Sequence, residues 1–78
     1  MIKYKIDMKQ ALKDANFTYT DARKSKLISQ TTYGNIVNGK TNITLQTLNI
    51  LCLILDCLPQ DIIEFIPDQS DRAIIDKL

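Results

Sequence analysis

The sequence predicts an all-α fold of five short helices behind a short N-terminal strand or arm, and three observations carry that prediction. Hydrophobic residues make up 45% of the 78 residues and recur at helical spacing, enough for one small core and too little chain for a second domain. Capping residues stand ahead of the apolar stretches, namely Asp7, Thr18, Ser29 and Thr44. Breakers stand where helices must end, at Asn38-Gly39 and again at Pro59 and Pro67.

Each element follows in order. Ile2, Tyr4 and Ile6 alternate with Lys3 and Lys5, the period of a short strand or extended arm. Asp7 caps a first helix in which Met8, Ala11, Leu12 and Ala15 form one stripe, ending near Asn16. Thr18 caps a second helix, roughly Tyr19 to Leu27, with Phe17 as an apolar anchor in front. The link to Ser29 is short enough to hold the second and third helices at the steep angle of a helix-turn-helix. The third helix begins behind Ser29 and stops at Asn38-Gly39-Lys40. Ile43-Thr44 opens a fourth helix running to about Asp56, with Ile43 set to meet Leu48 as a hydrophobic staple. Pro59 suits the first position of a fifth helix, which continues through Phe65 until Pro67 forbids extension. Residues 1–67 therefore read as the domain, and residues 68–78 as a C-terminal tail, either frayed or docked as a strand or helix.

Composition narrows the function. There is no histidine, and the acids are scattered over caps and exposed faces, so the convergent titratable groups that catalysis needs are not expected. The only glycines are Gly34 and Gly39, which excludes a glycine-rich phosphate loop, and no cofactor is expected. Cys52 and Cys57 cannot complete a tetrahedral metal site alone, and five residues apart on a helix they point to different sides; buried, reduced structural thiols are expected, with no metal. Neither a signal peptide nor an apolar run of about 18 residues is visible. A soluble cytoplasmic protein with no membrane partner is the expectation.

The net charge of +1 hides a polarity. Residues 1–40 carry eight basic side chains against three acidic ones, a net +5, whereas residues 41–78 carry two against six, a net −4. A basic half around the third helix is the footprint of phosphate binding, with the acidic half turned away. Gln30, Thr31, Gly34 and Asn35 form the outer face of that helix, polar, neutral and short in reach. Gln and Asn can each make a bidentate pair with adenine, and Thr can offer its hydroxyl or its methyl to a base edge. An ordinary exposed helix face is the plainer explanation, but Glu, Lys and Ala would build that more stably than Thr, Asn and Gly.

These residues resemble the Cro/C1-type (XRE) helix-turn-helix family of transcriptional regulators, small single-domain subgroup, over roughly residues 2–67. The resemblance is carried by Ile28-Ser29-Gln30-Thr31-Thr32, by Asn35-Ile36-Val37-Asn38-Gly39-Lys40, and by Ile43-Thr44-Leu45-Gln46-Thr47-Leu48. A second piece, Leu55 to Pro67, looks like the C-terminal signature of that subgroup, which also begins with an Ile-x-Tyr-x-Ile arm. The resemblance implies the five-helix lambda-repressor-like fold. It also implies base contacts from Gln30, Thr31, Gly34 and Asn35, and phosphate contacts from Thr18, Tyr19, Asn38, Lys40 and Thr41. The chain departs from the family pattern at Tyr19 (usually Gln), Arg23 (small Ala), Leu27 (Gly) and Tyr33 (branched aliphatic).

A fourth helix that is apolar nearly all round must be covered all round. Ile50 and Leu53 stand where relatives usually carry charge, so they are the expected dimer or partner surface. The expected protein is thus a homodimeric repressor bound to a double-stranded DNA operator, with half-sites about one helical turn apart. Two competing expectations are that residues 72–78 fold back over the fourth helix, and that the fold serves a phage or mobile-element protein that captures another protein, as an antirepressor or defence-nuclease inhibitor.

Overall fold

Most helix starts are set by a side chain that satisfies a backbone N–H left over at the first turn. Asp7 accepts from Gln10 N–H, Thr18 from Asp21 N–H, Ser29 from Thr32 N–H, Thr44 from Thr47 N–H and Asp68 from Ser70 N–H. In the computed structural model, which describes residues 1–78, the elements are β1 (Ile2–Tyr4), α1 (Met8–Asp14), α2 (Tyr19–Ser25), α3 (Gln30–Val37), α4 (Leu45–Leu55), α5 (Pro59–Ile62), β2 (Ile63–Phe65) and α6 (Gln69–Asp76). The caps of the four long-predicted helices are those read from the sequence.

Helix α4 is the central post. It packs against α1 and α5, and α3 lies across α1 and α2. Leu12, Ile36, Leu51 and Ile62 are fully enclosed, and Met8, Ile28, Leu48 and Ile50 complete the core. Ile43 packs against this cluster together with Leu48, as the staple requires.

Several expectations need correction. Helix α2 ends at Ser25, two residues early, with Lys26 in the left-handed region at φ 59°. The fifth helix stops after Ile62 instead of running through Phe65. Ile63, Glu64 and Phe65 become a strand because the N-terminal arm supplies backbone partners: Ile2 lies opposite Phe65, Lys3 opposite Glu64 and Tyr4 opposite Ile63. Lys5 N–H donates to Ile62 C=O (2.7 Å) and Ile66 N–H to Met1 C=O (2.8 Å), extending the ribbon at both ends. Branched and aromatic side chains tolerate strand and helix alike when a pairing edge is at hand, so tertiary context decided. The arm predicted from alternation is β1.

Ile50 is not on a surface. It is 8% exposed, because contact with α1 and α5 leaves α4 covered on more than one side. Leu45 and Leu53 are instead its apolar exposed residues, at 84% and 71%. Cys52 and Cys57 are half-buried rather than buried, and both are free thiols. Desolvation, then the neighbouring Cys52, Asp61 and Asp56, push the Cys57 thiol up, so it stays protonated at neutral pH. Residues 69–76 form a helix, and none of its residues is buried, so the tail does not cover α4.

Burial separates Leu51 and Leu53 of α4 sharply. Leu51→Ala should lower unfolding free energy by about 2–5 kcal/mol, whereas Leu53→Ala should change it by no more than about 0.5 kcal/mol; urea denaturation of both variants checks the assignment.

Candidate nucleic-acid interface

The eight residues of α3 divide cleanly. Ile36 is fully buried, and Tyr33 and Val37 pack against the core. Gln30 and Thr31 are exposed, and Gly34 and Asn35 are partly exposed on the side away from Ile36. The four residues predicted to meet bases thus occupy adjoining positions of one helix, one turn apart.

Both ends of α3 are fastened. Ser29 accepts from Thr32 N–H (3.1 Å) and donates its hydroxyl to Thr32 Oγ1 (2.8 Å). At the other end Gly39 takes φ 82°, its N–H donates to Ile36 C=O and Lys40 N–H donates to Asn35 C=O, a Schellman stop. The Tyr4 hydroxyl donates to Lys40 C=O at 2.7 Å, tying the loop behind α3 to the β-ribbon. Partial burial raises the Tyr4 pKa, which keeps that donor protonated. Phe17, Tyr33 and Tyr19 stack in sequence, at centroid distances of 6.4 and 6.0 Å, and the Tyr33 hydroxyl donates to Phe17 C=O. Tyr33, a departure from the family pattern, thereby joins α3 to the start of α2.

The predicted phosphate residues are not equivalent. Asn38, Lys40 and Thr41 are exposed in the loop after α3, and Tyr19 is exposed at the first turn of α2. Thr18 is engaged within its own helix start: its N–H and hydroxyl both donate to Asp21 Oδ2, at 2.9 and 3.0 Å, closing a capping box. Those bonds hold the Asp21 carboxyl below the usual carboxylate range. Its pKa is lower folded than unfolded, so the stabilisation is present above the ordinary carboxylate pKa and fades as pH falls through the folded value.

Two basic residues join the surface beside α3 that the sequence reading did not place there. Arg23 and Lys26 border a shallow notch with Ser29 and Gln30 at the turn between α2 and α3. The signal was the basic charge of the first forty residues, which sequence spacing alone did not assign to a face. The only ion pair in the chain is Arg72–Asp76, so none of the cations around α2 and α3 is neutralised by a neighbouring carboxylate. No three His, Cys, Asp or Glu side chains come together as a metal site, and no helix is long and apolar enough to cross a membrane.

A short polar helix presented at the end of a short turn among unpaired cations is the geometry of a DNA reader. A family model for the Cro/C1-type helix-turn-helix DNA-binding domain matches residues 7–68. The chain belongs to that family. Among curated proteins and solved structures none matches. Within this Cro/C1-type domain the helix-turn-helix is α2 and α3, and its turn holds a left-handed Lys26 followed by Leu27, 54% exposed.

Lys26→Gly should raise stability by about 1 kcal/mol, the order of the cost of a left-handed non-glycine residue. Gly34 has no atom within 4 Å of where a Cβ would sit. Gly34→Ala should therefore also stabilise the fold, by about 0.5–1 kcal/mol, and thermal unfolding of the two variants measures both.

Proposed function

We propose that this Cro/C1-type domain is a homodimeric repressor that reads an operator with α3. The observation that carries the reading is Gly34. A helix-interior glycine costs about 1 kcal/mol relative to alanine, and nothing inside the molecule requires it. Close approach of a base or phosphate to the helix backbone accounts for it. Gln30, Thr31 and Asn35 around it supply donors and acceptors for base edges.

Lys40, Asn38, Thr41 and Tyr19 would hold phosphates on either side, joined by Arg23 and Lys26 at the notch. Thr18 would act through the capping box, by presenting the first turn of α2. Repression is the simplest consequence, since a bound domain occludes a promoter without any further part. Two copies would place two α3 helices on half-sites about one helical turn apart.

Selection of sites from a random duplex library tests this directly. A roughly palindromic motif, bound with a steep negative dependence on salt, is the expected result. Gln30→Ala with Asn35→Ala should then abolish preference for the motif, each bidentate pair contributing roughly 1–3 kcal/mol. Lys40→Ala should weaken all duplexes alike and lower the salt slope by about one. Gly34→Ala should bind more weakly although it folds more stably. An unenriched library would overturn the reading, as would a double variant that binds like the parent.

A further inference from the structure

The hydroxyl of Tyr4 is a polar group that packing does not require. Its ring lies against the core, and phenylalanine would fill the same place with no hydroxyl to satisfy. That hydroxyl makes one bond, to the C=O of Lys40 at 2.7 Å, across 36 positions of the chain. Tyr4 belongs to the arm, ahead of residues 7–68 that the family model matches.

The bond joins a firmly held group to a loosely held one. Tyr4 stands opposite Ile63 in the ribbon. Beside it Lys5 is bound twice, by its N–H to Ile62 C=O and by Nζ to Gln60 C=O. A tyrosine rooted there has two side-chain torsions to fix, and packing limits both. Residues 40–44, by contrast, have no regular structure. Lys40 N–H donates to Asn35 C=O at the end of α3, and the Tyr4 hydroxyl makes the only side-chain hydrogen bond to residues 39–43. These two bonds hold the peptide groups on either side of the Lys40 Cα. Together they fix the direction in which the lysine leaves the chain, and no carboxylate pairs with its ammonium.

We infer that Tyr4 is a positioning residue for DNA binding: it touches no nucleotide, and its hydroxyl holds the Lys40 backbone so that the ammonium meets a phosphate beside α3. The inference rests on the operator-reading proposal above and gives it a residue outside the helix-turn-helix. The gain lies in ordering. A loop fixed only at the moment of binding loses affinity by the entropy of ordering it, and a loop fixed beforehand does not. Phosphate contacts set register and carry no sequence information. The effect therefore falls on affinity for every duplex and spares the choice among them.

The test is a double-mutant cycle on the full chain: Tyr4→Phe, Lys40→Ala and both together, titrated against the duplex selected from the random library and against a scrambled one. Tyr4→Phe keeps the ring and removes the bond. It should weaken both duplexes by about three- to tenfold, the worth of one hydrogen bond, with the preference between them unchanged. In the Lys40→Ala background the same substitution should weaken binding less than about twofold, because the group it positions is gone. Titration at a temperature where circular dichroism shows every variant folded keeps loss of folded protein out of these ratios. A purely structural role gives the same factor in both backgrounds, and that result would overturn the inference. A Tyr4→Phe variant that binds like the parent would overturn it too, as would one that alters the preference between duplexes. So would Lys40→Ala binding like the parent, which leaves operator reading by α3 standing. A parent that selects no duplex removes both, whereas the other failures remove only the role of Tyr4.

Discussion

An eight-residue helix does not hold its shape in water, so α3 depends on being gripped from one side. Ile36 is enclosed by the core, Tyr33 reaches across to Phe17, and Val37 packs beside them. That grip consumes half of the helix surface and leaves the other half free of structural duties. Gln30, Thr31, Gly34 and Asn35 can then be chosen for what they touch outside the molecule. The rest of the fold acts as a clamp: α1 and α2 pack on α3, Leu12 and Leu51 belong to the same core cluster as Ile36, and the β-ribbon holds the loop behind α3 through Tyr4 and Lys40.

The clamp explains why a two-stranded ribbon of three residues each survives. Such a ribbon is marginal by itself, but Tyr4 and Ile63 pack on the core and the ribbon closes the chain's first element against its second-last, β2. Left-handed non-glycine residues occur at Asn16, Lys26 and Asp56, each just past the end of a helix. Lys26 takes a left-handed turn, and Gly34 weakens a helix that is already short.

Much of this was legible in the chain. Asp7, Thr18, Ser29 and Thr44 announced their helices because a capping side chain acts within three residues of itself. Gly39 announced the stop of α3 for the same reason. Ile63 to Phe65 did not announce a strand, because its partner is sixty residues away and a branched apolar run after a proline fits either state. Ile50 was misplaced because an all-round apolar helix reads equally as one buried on several sides or as one awaiting a partner. Arg23 and Lys26 became visible only when the turn brought them beside Ser29 and Gln30.

The sequence by itself determined where the first four helices begin, where α3 stops, which face of α3 is polar, and that positive charge gathers in the first forty residues. All of these rest on interactions of short range along the chain or on composition, which need no fold to be read. Only the tertiary structure decided which apolar side chains are covered, that the arm pairs with residues 63–65, and that residues 69–76 form a helix with every residue exposed. Burial and long-range pairing depend on what else the chain brings to the same place, and that information exists only in three dimensions.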